Sequence, residues 1–557
     1  MLNCKIISGL DKPLLGSKIE DYKERTNISV LRGEKATFQM IYTLDFRKEG
    51  NFSRYISVNL SGELAKYTTL KDVQSVPAVF NYRGDVDDDF ITTAPALIPD
   101  VLAPLSFNGR LVACYGALKS LWIEIEIPEN AELSGKADLK LDLEIEKWAN
   151  EVEGSFTSSL ALSVDIIDAT LPEQELIFTQ WFHHDCLANY YRVKKWSDEH
   201  FEIIEKFAKC AKKNGINMLF TPIITPPLDN AADTRDLQLA DVTVTDSGYE
   251  FGWDKLDRWI DICDRVGIEK FEIGHLFTQG GAAYATKVSG VKNGVYQRLF
   301  AKDVPCDDPE YVRFLRALLT SLIAHMRARG DDKRMMFHIS DEPSDTQLET
   351  YNKAKSAVAD LLEGYDIFDA LSHYDFYERG VVKKPVVILH HLEEFAEKGV
   401  PGLWTYNCCA PAGGYSNRFL PMTLSRNRSL ALVLYKYNIE GFLHWGFNFY
   451  NTSGSYNEIN PFHDTNSGGH FPSGDSHSVY PGVGGEPLES MRLSCFADGL
   501  CDLRAFKLCE SLYSRDEVIS ALENFLGAPI KANTYINSSE KMHALREMIN
   551  EMIKAKI

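Results

Sequence analysis

The stretch RMMFHISDEPSDTQLETYNKAKSAVADLL, Arg334 to Leu362, decides the fold. RMMFHIS is a short apolar run that reads as a buried strand, and the adjacent acids Asp341 and Glu342 follow at its end. Pro343 stops the strand, and TQLETYNKAKSAVADLL then has helical spacing. Upstream, PEYVRFLRALLTSLIAHMRARG is a long helix. The unit is therefore helix, strand, helix, with charge gathered where the strand ends.

Working outward, the same alternation recurs. LIFTQWF, INMLFTPII, IEKFEIGHLF and YDIFDALS read as strands, and DEHFEIIEKFAKCAKKNG and WDKLDRWIDICDRVG as helices that end on glycine. LEEFAEKG, PGLWTYN, a helix near RNRSLALVLYKYN and IEGFLHWGF continue it. Such alternation predicts parallel strands with helical crossovers. Roughly seven or eight units close a (β/α)8 TIM-type barrel, placed over residues 169–505; a doubly wound sheet is the alternative. Residues 1–168 differ: SLWIEIEIPE and ADLKLDLEIE alternate with period two, which predicts an antiparallel β-sandwich. Residues 506–557 read as a C-terminal helical segment, and from Glu489 onward the chain is expected to pack on the outside of the barrel.

Composition narrows the function. A formal net charge of −20 opposes nucleic acid and anionic membrane surfaces, which both need clustered Lys and Arg. No apolar run has the length of a membrane span. The start, MLNCKIISGL, lacks the pattern of a secretory signal, and the 11 cysteines are scattered without a CxxC pair. Both point to the cytoplasm. Nothing in the sequence sets an oligomeric state.

Function in a barrel collects at the strand ends. His275, Asp341 with Glu342, Tyr374, Tyr406, Trp445 and Asn448 all fall at predicted strand ends. Successive strand residues point to opposite faces, so adjacent acids share a site only where the backbone turns. Pro343 restricts Glu342 to extended conformations. An acid beside an anion in a poorly hydrated site keeps its proton to higher pH, which a general acid needs. The plainer reading is a solvated loop pair at the start of the next helix.

Other chemistries are poorly supported. QWFHHDC offers His183, His184 and Asp185, but adjacent histidines without HxH or HExxH spacing make a weak metal site, and His390-His391 has the same defect. No GxSxG occurs, and GGYSNR and GVGGEP lack the setting of a phosphate loop. No metal or cofactor is expected. Residues 452–486, rich in Gly, Ser, Asn and Pro, read as a lid over the barrel mouth or a mobile loop.

HISDEP, GLWTYN, YSNRFL, GFLHWGFNFY and VYPGVGGEPLESMRLSCFADGL, in this order, resemble the catalytic-domain motifs of glycoside hydrolase family 123; the last carries Arg492 and Asp498. The resemblance implies a β-N-acetylgalactosaminidase acting on a small-molecule glycan by a substrate-assisted retaining mechanism. It implies Glu342 as general acid and base, and Asp341 as the partner of the 2-acetamido N–H. Tyr374 or Tyr406 would bond the acetamido carbonyl. Trp404 and Trp445 would stack on the sugar or belong to the core. Asn417, Arg418 and Asn448 would bind ring hydroxyls, and His183 and His275 would touch the ligand. A barrel glycosidase for another sugar and a non-catalytic carbohydrate-binding protein are the alternatives.

Overall fold

The computed structural model describes residues 2–44, 53–79, 86–146, 157–232, 237–343 and 345–557. They form two compact units, neither continuous in sequence. Met1–Gln174, Ala412–Lys436 and Leu488–Ile557 make the first; Glu175–Pro411 and Tyr437–Pro487 make the second. The segment after Glu489 thus clusters with the N-terminal strands and not with the barrel.

The first unit holds two five-stranded sheets. One runs Leu2–Ser8, Glu34–Leu44, Lys119–Ile127, Thr68–Ala78, Ala96–Pro104, with every neighbour antiparallel. The other runs Asn27–Arg32, Thr157–Thr170, Gly135–Ile145, Ser53–Ser61, Leu111–Cys114. Its first pair is parallel, unlike the all-antiparallel expectation, and the rest are antiparallel. Alternation does the work predicted of it: Ala137, Leu139, Leu141, Leu143 and Ile145 are buried while the residues between them are more exposed. One apolar cluster draws on both sheets, through Phe38, Leu121 and Ile123 from one and Val30, Leu141 and Val164 from the other.

Helices Met491–Leu512, Arg515–Leu526 and Ser539–Lys554 belong to the same unit. The two polar residues of the terminal signature are buried in ion pairs here. Arg492 is bidentate to Asp100, at 2.9 and 2.8 Å, and Asp498 lies 3.6 Å from Lys35. Arg428 and Arg546 both pair with Asp502. Breaking a buried pair leaves an uncompensated charge, so these are structural positions.

The second unit contains a closed barrel of eight parallel strands. They are β1 (Ile177–Gln180), β2 (Met218–Thr221), β3 (Lys270–Ile273), β4 (Met335–Phe337), β5 (Asp366–Leu371), β6 (Lys384–Ile388), β7 (Trp404–Tyr406) and β8 (Gly441–His444). Parallel pairing of β8 with β1 closes the ring. Met218, Met336, Phe368, Val386, Trp404 and Leu443 form an apolar core in this unit. Helices Asp198–Lys213, Asp254–Val266, Pro309–Arg329 and Leu348–Ser356 connect the first five strands. The first is capped by the Ser197 hydroxyl, which accepts from the His200 N–H, and Gly215 follows its end with φ 83°. A four-stranded sheet over Asp241–Thr245, Gly248–Gly252, Val288–Lys292 and Val295–Phe300 is inserted around β3; the sequence reading did not foresee it. Among the described residues no helix is long and apolar enough to cross a membrane.

Candidate active site

Strand β4 ends at Phe337, and His338, Ile339 and Ser340 carry the chain to the acid pair. The Ser340 hydroxyl donates to Thr278 O at 2.8 Å and accepts from Ala282 N at 3.0 Å, which pins this segment to the loop after β3. The backbone turns at Glu342 itself, where φ is 42°. That is the left-handed region, not the extended conformation expected before proline, and a side chain there is strained. The turn lets both carboxylates line one cavity of about 390 Å³.

The polar part of this cavity is made by Asp341, Glu342, Gln279, His338 and Tyr406. Gln279 Nε2 donates to Asp341 Oδ2 at 2.6 Å, and Gly280 N donates to the Asp341 carbonyl at 3.1 Å. Tyr406, at the end of β7, donates its hydroxyl to Glu342 Oε1. Part of Asp341 faces the cavity, yet the protein around its carboxyl and the Glu342 charge beside it push it up to about 7. Burial, then the Glu342 charge, hold the Tyr406 phenol well above its ordinary range, so it stays a donor.

The apolar part is aromatic. Trp181, Trp445 and Phe471 line it, with Leu228 and Leu443. Trp445 lies 4.7 Å from Phe471 between ring centres, and its Nε1 donates to the buried Asp475 at 3.1 Å. Trp181 donates to Glu272 Oε1 at 2.7 Å. Ser453, Gly454, His470 and Phe471 place the Gly- and Ser-rich segment in the cavity wall.

Of the residues singled out in the sequence, Asp341, Glu342, Tyr406 and Trp445 line this cavity. His275 stands behind it, stacked on the cavity-lining His338 with ring centres 4.3 Å apart. Trp404 is fully buried in the barrel core, 5.1 Å from Phe368. His183 and Asn448 hold one another: His183 N donates to Asn448 Oδ1 at 2.8 Å, and Asn448 Nδ2 donates back to His183 O at 3.0 Å. Tyr374 lies on a short helix against Phe395, with Lys398 Nζ 3.7 Å over its ring. Asn417 and Arg418 belong to the first unit, where Arg492 Nη1 donates to the Arg418 carbonyl at 3.2 Å. Gln279, His338 and Trp181 were not singled out. For His338 the signal was present, since it shares the inward face of Met336 by strand alternation; Gln279, in an aperiodic loop, gave none. Among the described residues no group of three or more His, Cys, Asp or Glu side chains is arranged to hold a metal ion.

Buried aromatic faces beside two carboxylates suit a ligand with an apolar ring face and hydroxyl edges. Comparison with known proteins gives the site its family. The model described as glycoside hydrolase 123, catalytic domain, matches residues 181–509. A family 123 glycoside hydrolase from Clostridium perfringens, whose structure is described in terms of glycolipid glycan hydrolysis, is 17% identical with a TM-score of 0.73, over 100% of this chain and 97% of that one. A putative beta-galactosidase from Bacteroides fragilis is 10% identical over 87% of this chain and 62% of its own, with a TM-score of 0.33. A beta-glucuronidase from Bifidobacterium dentium is 11% identical over 90% and 66%, with a TM-score of 0.32. No curated protein sequence matches the chain. With the matched region holding more than half of the chain, seven of the eight barrel strands and the acid pair, the chain belongs to glycoside hydrolase family 123.

Proposed function

We propose that this glycosidase removes terminal β-linked N-acetylgalactosamine by a substrate-assisted, retaining mechanism. The observation that carries the reading is the pair Asp341-Glu342, neighbours in sequence and both on one cavity wall. Acids this close suit a reaction in which the substrate supplies the nucleophile, because no carboxylate is needed across the sugar ring. Glu342 gives its proton to the glycosidic oxygen as the C1–O bond breaks. The acetamido oxygen closes on C1 to form an oxazolinium ion, with Asp341 accepting from its N–H. Water then gives a proton to Glu342 and attacks C1 as the bond from C1 to the acetamido oxygen breaks, which restores the acetamido group and the β configuration.

On its own the site favours a proton on Asp341, because burial and then the Glu342 charge raise its carboxyl to about 7. An acetamido N–H directed at Asp341 favours the Asp341 anion and leaves the proton to Glu342. We assign Tyr406 to the acetamido carbonyl and Trp445 to the apolar face of the ring. His183, His275, Trp404 and Asn448 support the wall from behind. We read the two N-terminal sheets as a β-sandwich, the barrel as a TIM-type (β/α)8 fold, and the setting as a reducing cytoplasm, which 11 cysteines without a disulfide suit. The substrate is a small glycan, and a glycolipid glycan is one source of its terminal residue.

Hydrolysis of aryl β-glycosides tests this directly. Turnover of the N-acetylgalactosaminide, with none of the plain galactoside, is expected. Equal turnover of the plain galactoside overturns the role given to Asp341, and turnover only of the N-acetylglucosaminide overturns the choice of sugar.

A further inference from the structure

We propose that His338 is a positioning residue for the acid pair: a buried imidazolium, clamped between Glu272 and Asp369, that ties three neighbouring barrel strands together and sets a fixed positive charge beside Asp341. This rests on the roles proposed above for Asp341 and Glu342.

Glu272 on β3 and Asp369 on β5 are both fully buried, which is costly for two anions unless they are fully bonded. Glu272 accepts from the Thr179 hydroxyl, from Trp181 Nε1 and from His338 Nε2, the last at 2.8 Å. Asp369 accepts from the Tyr351 hydroxyl, from Ile339 N at 3.0 Å and from His338 Nδ1 at 3.3 Å. Both ring nitrogens of His338 therefore face carboxylates, an arrangement satisfied only when both carry protons. Burial opposes the charge, but the bonds to Asp369 and Glu272 outweigh it and raise the imidazole to about 9. His275 stacks on the same ring nearly parallel, at 9°, and burial with the His338 charge keeps it neutral.

The groups facing His338 are thus Glu272, Asp369, neutral His275, the Tyr351 hydroxyl through Asp369, and Asp341. His338 and Asp341 line the same cavity, and the cation opposes the effect of Glu342 on Asp341. Without it Asp341 holds its proton to higher pH, and the acetamido N–H lacks an acceptor over a wider range. Asp369 adds mechanical control, since it holds the Ile339 N–H two residues before Asp341.

The pH profile of kcat/KM on the aryl N-acetylgalactosaminide tests this in His338→Gln, which keeps a hydrogen-bonding side chain without the charge. A loss of at least tenfold near pH 6 that largely recovers by pH 8 is expected. A loss uniform across pH, or none, overturns the proposal. A second measurement needs neither the variant nor a substrate: nitrogen NMR of the native protein labelled at histidine. One imidazolium signal persisting at pH 8 is expected, and its absence overturns the proposal. If the wild-type enzyme leaves the aryl substrate untouched, the function proposed above fails, while the NMR result still decides the state of His338.

Discussion

The Tyr406 hydroxyl, at the end of β7, donates to Oε1 of Glu342, in the loop that follows β4. This bond joins strands that are not neighbours in the barrel and reaches across its mouth. Tyr406→Phe removes the hydrogen bond to Glu342 and should lower kcat/KM by roughly 10- to 100-fold. Steady-state kinetics read this, and unchanged activity removes Tyr406 from the reaction.

Glu342→Gln deletes the proposed proton donor while keeping its shape. On substrates with poor leaving groups it should cost roughly 10²- to 10⁴-fold. The loss should shrink for an aryl group whose phenol is acidic, because that oxygen needs no proton to depart. Equal losses on both substrates would assign Glu342 another role.

Glu342 has φ 42°, where glycine is at ease and other residues are not. Glu342→Gly and Glu342→Ala both delete the carboxylate, so their difference isolates the backbone. The glycine variant should be more stable than the alanine variant by about 1 kcal/mol in denaturant unfolding, with both inactive. Equal stabilities show that this backbone is not strained.

Burial and Glu342 raise the Asp341 carboxyl to about 7. Its unfolded value lies near about 4. Between these the unfolded chain has released a proton that the native state keeps, so stability falls as pH rises through this window. Asp341→Asn mimics the protonated form. The variant should match the wild type below about pH 4 and exceed it above about pH 7 by on the order of 1–2 kcal/mol, less than the full shift because the carboxyl partly faces solvent. Unfolding titrations at several pH values check this, and a difference independent of pH contradicts it.

At Gly441 on β8 a Cβ would lie far inside contact distance of two ring carbons of Trp404 on β7. Neither strand can move without breaking the barrel, so Gly441→Ala should destabilise by at least about 1–3 kcal/mol. Thermal melting reads the change, and an unaltered transition shows that the Trp404 ring can shift.

Most of the barrel was legible because long amphipathic helices separate its first strands. β6 escaped notice, being five residues with a proline between helices too short to show a period, Tyr374–Glu378 and Leu392–Glu397. That Asp341, Glu342, Tyr406 and Trp445 share a cavity was legible because each lies at or after a strand end, where a barrel gathers its loops. Trp404 sits two residues before Tyr406 on the same face of β7, one layer deeper, and local sequence does not report depth. Asn417 and Arg418 follow β7 in the chain, yet their segment clusters with the N-terminal unit, a long-range choice that periodicity cannot express.

One peptide unit separates Asp341 from Glu342, so their spacing of about 3.8 Å between Cα atoms is covalent. Acid pairs drawn from two strands inherit every drift in the packing between those strands. Here the wall residues Ser453, Gly454, His470 and Phe471 lie on a different stretch of chain and can be exchanged without disturbing that spacing. On the roles proposed above, the acid pair and this part of the wall are written on separate segments, which gives natural variation a route to new sugars that leaves the spacing of the acids intact.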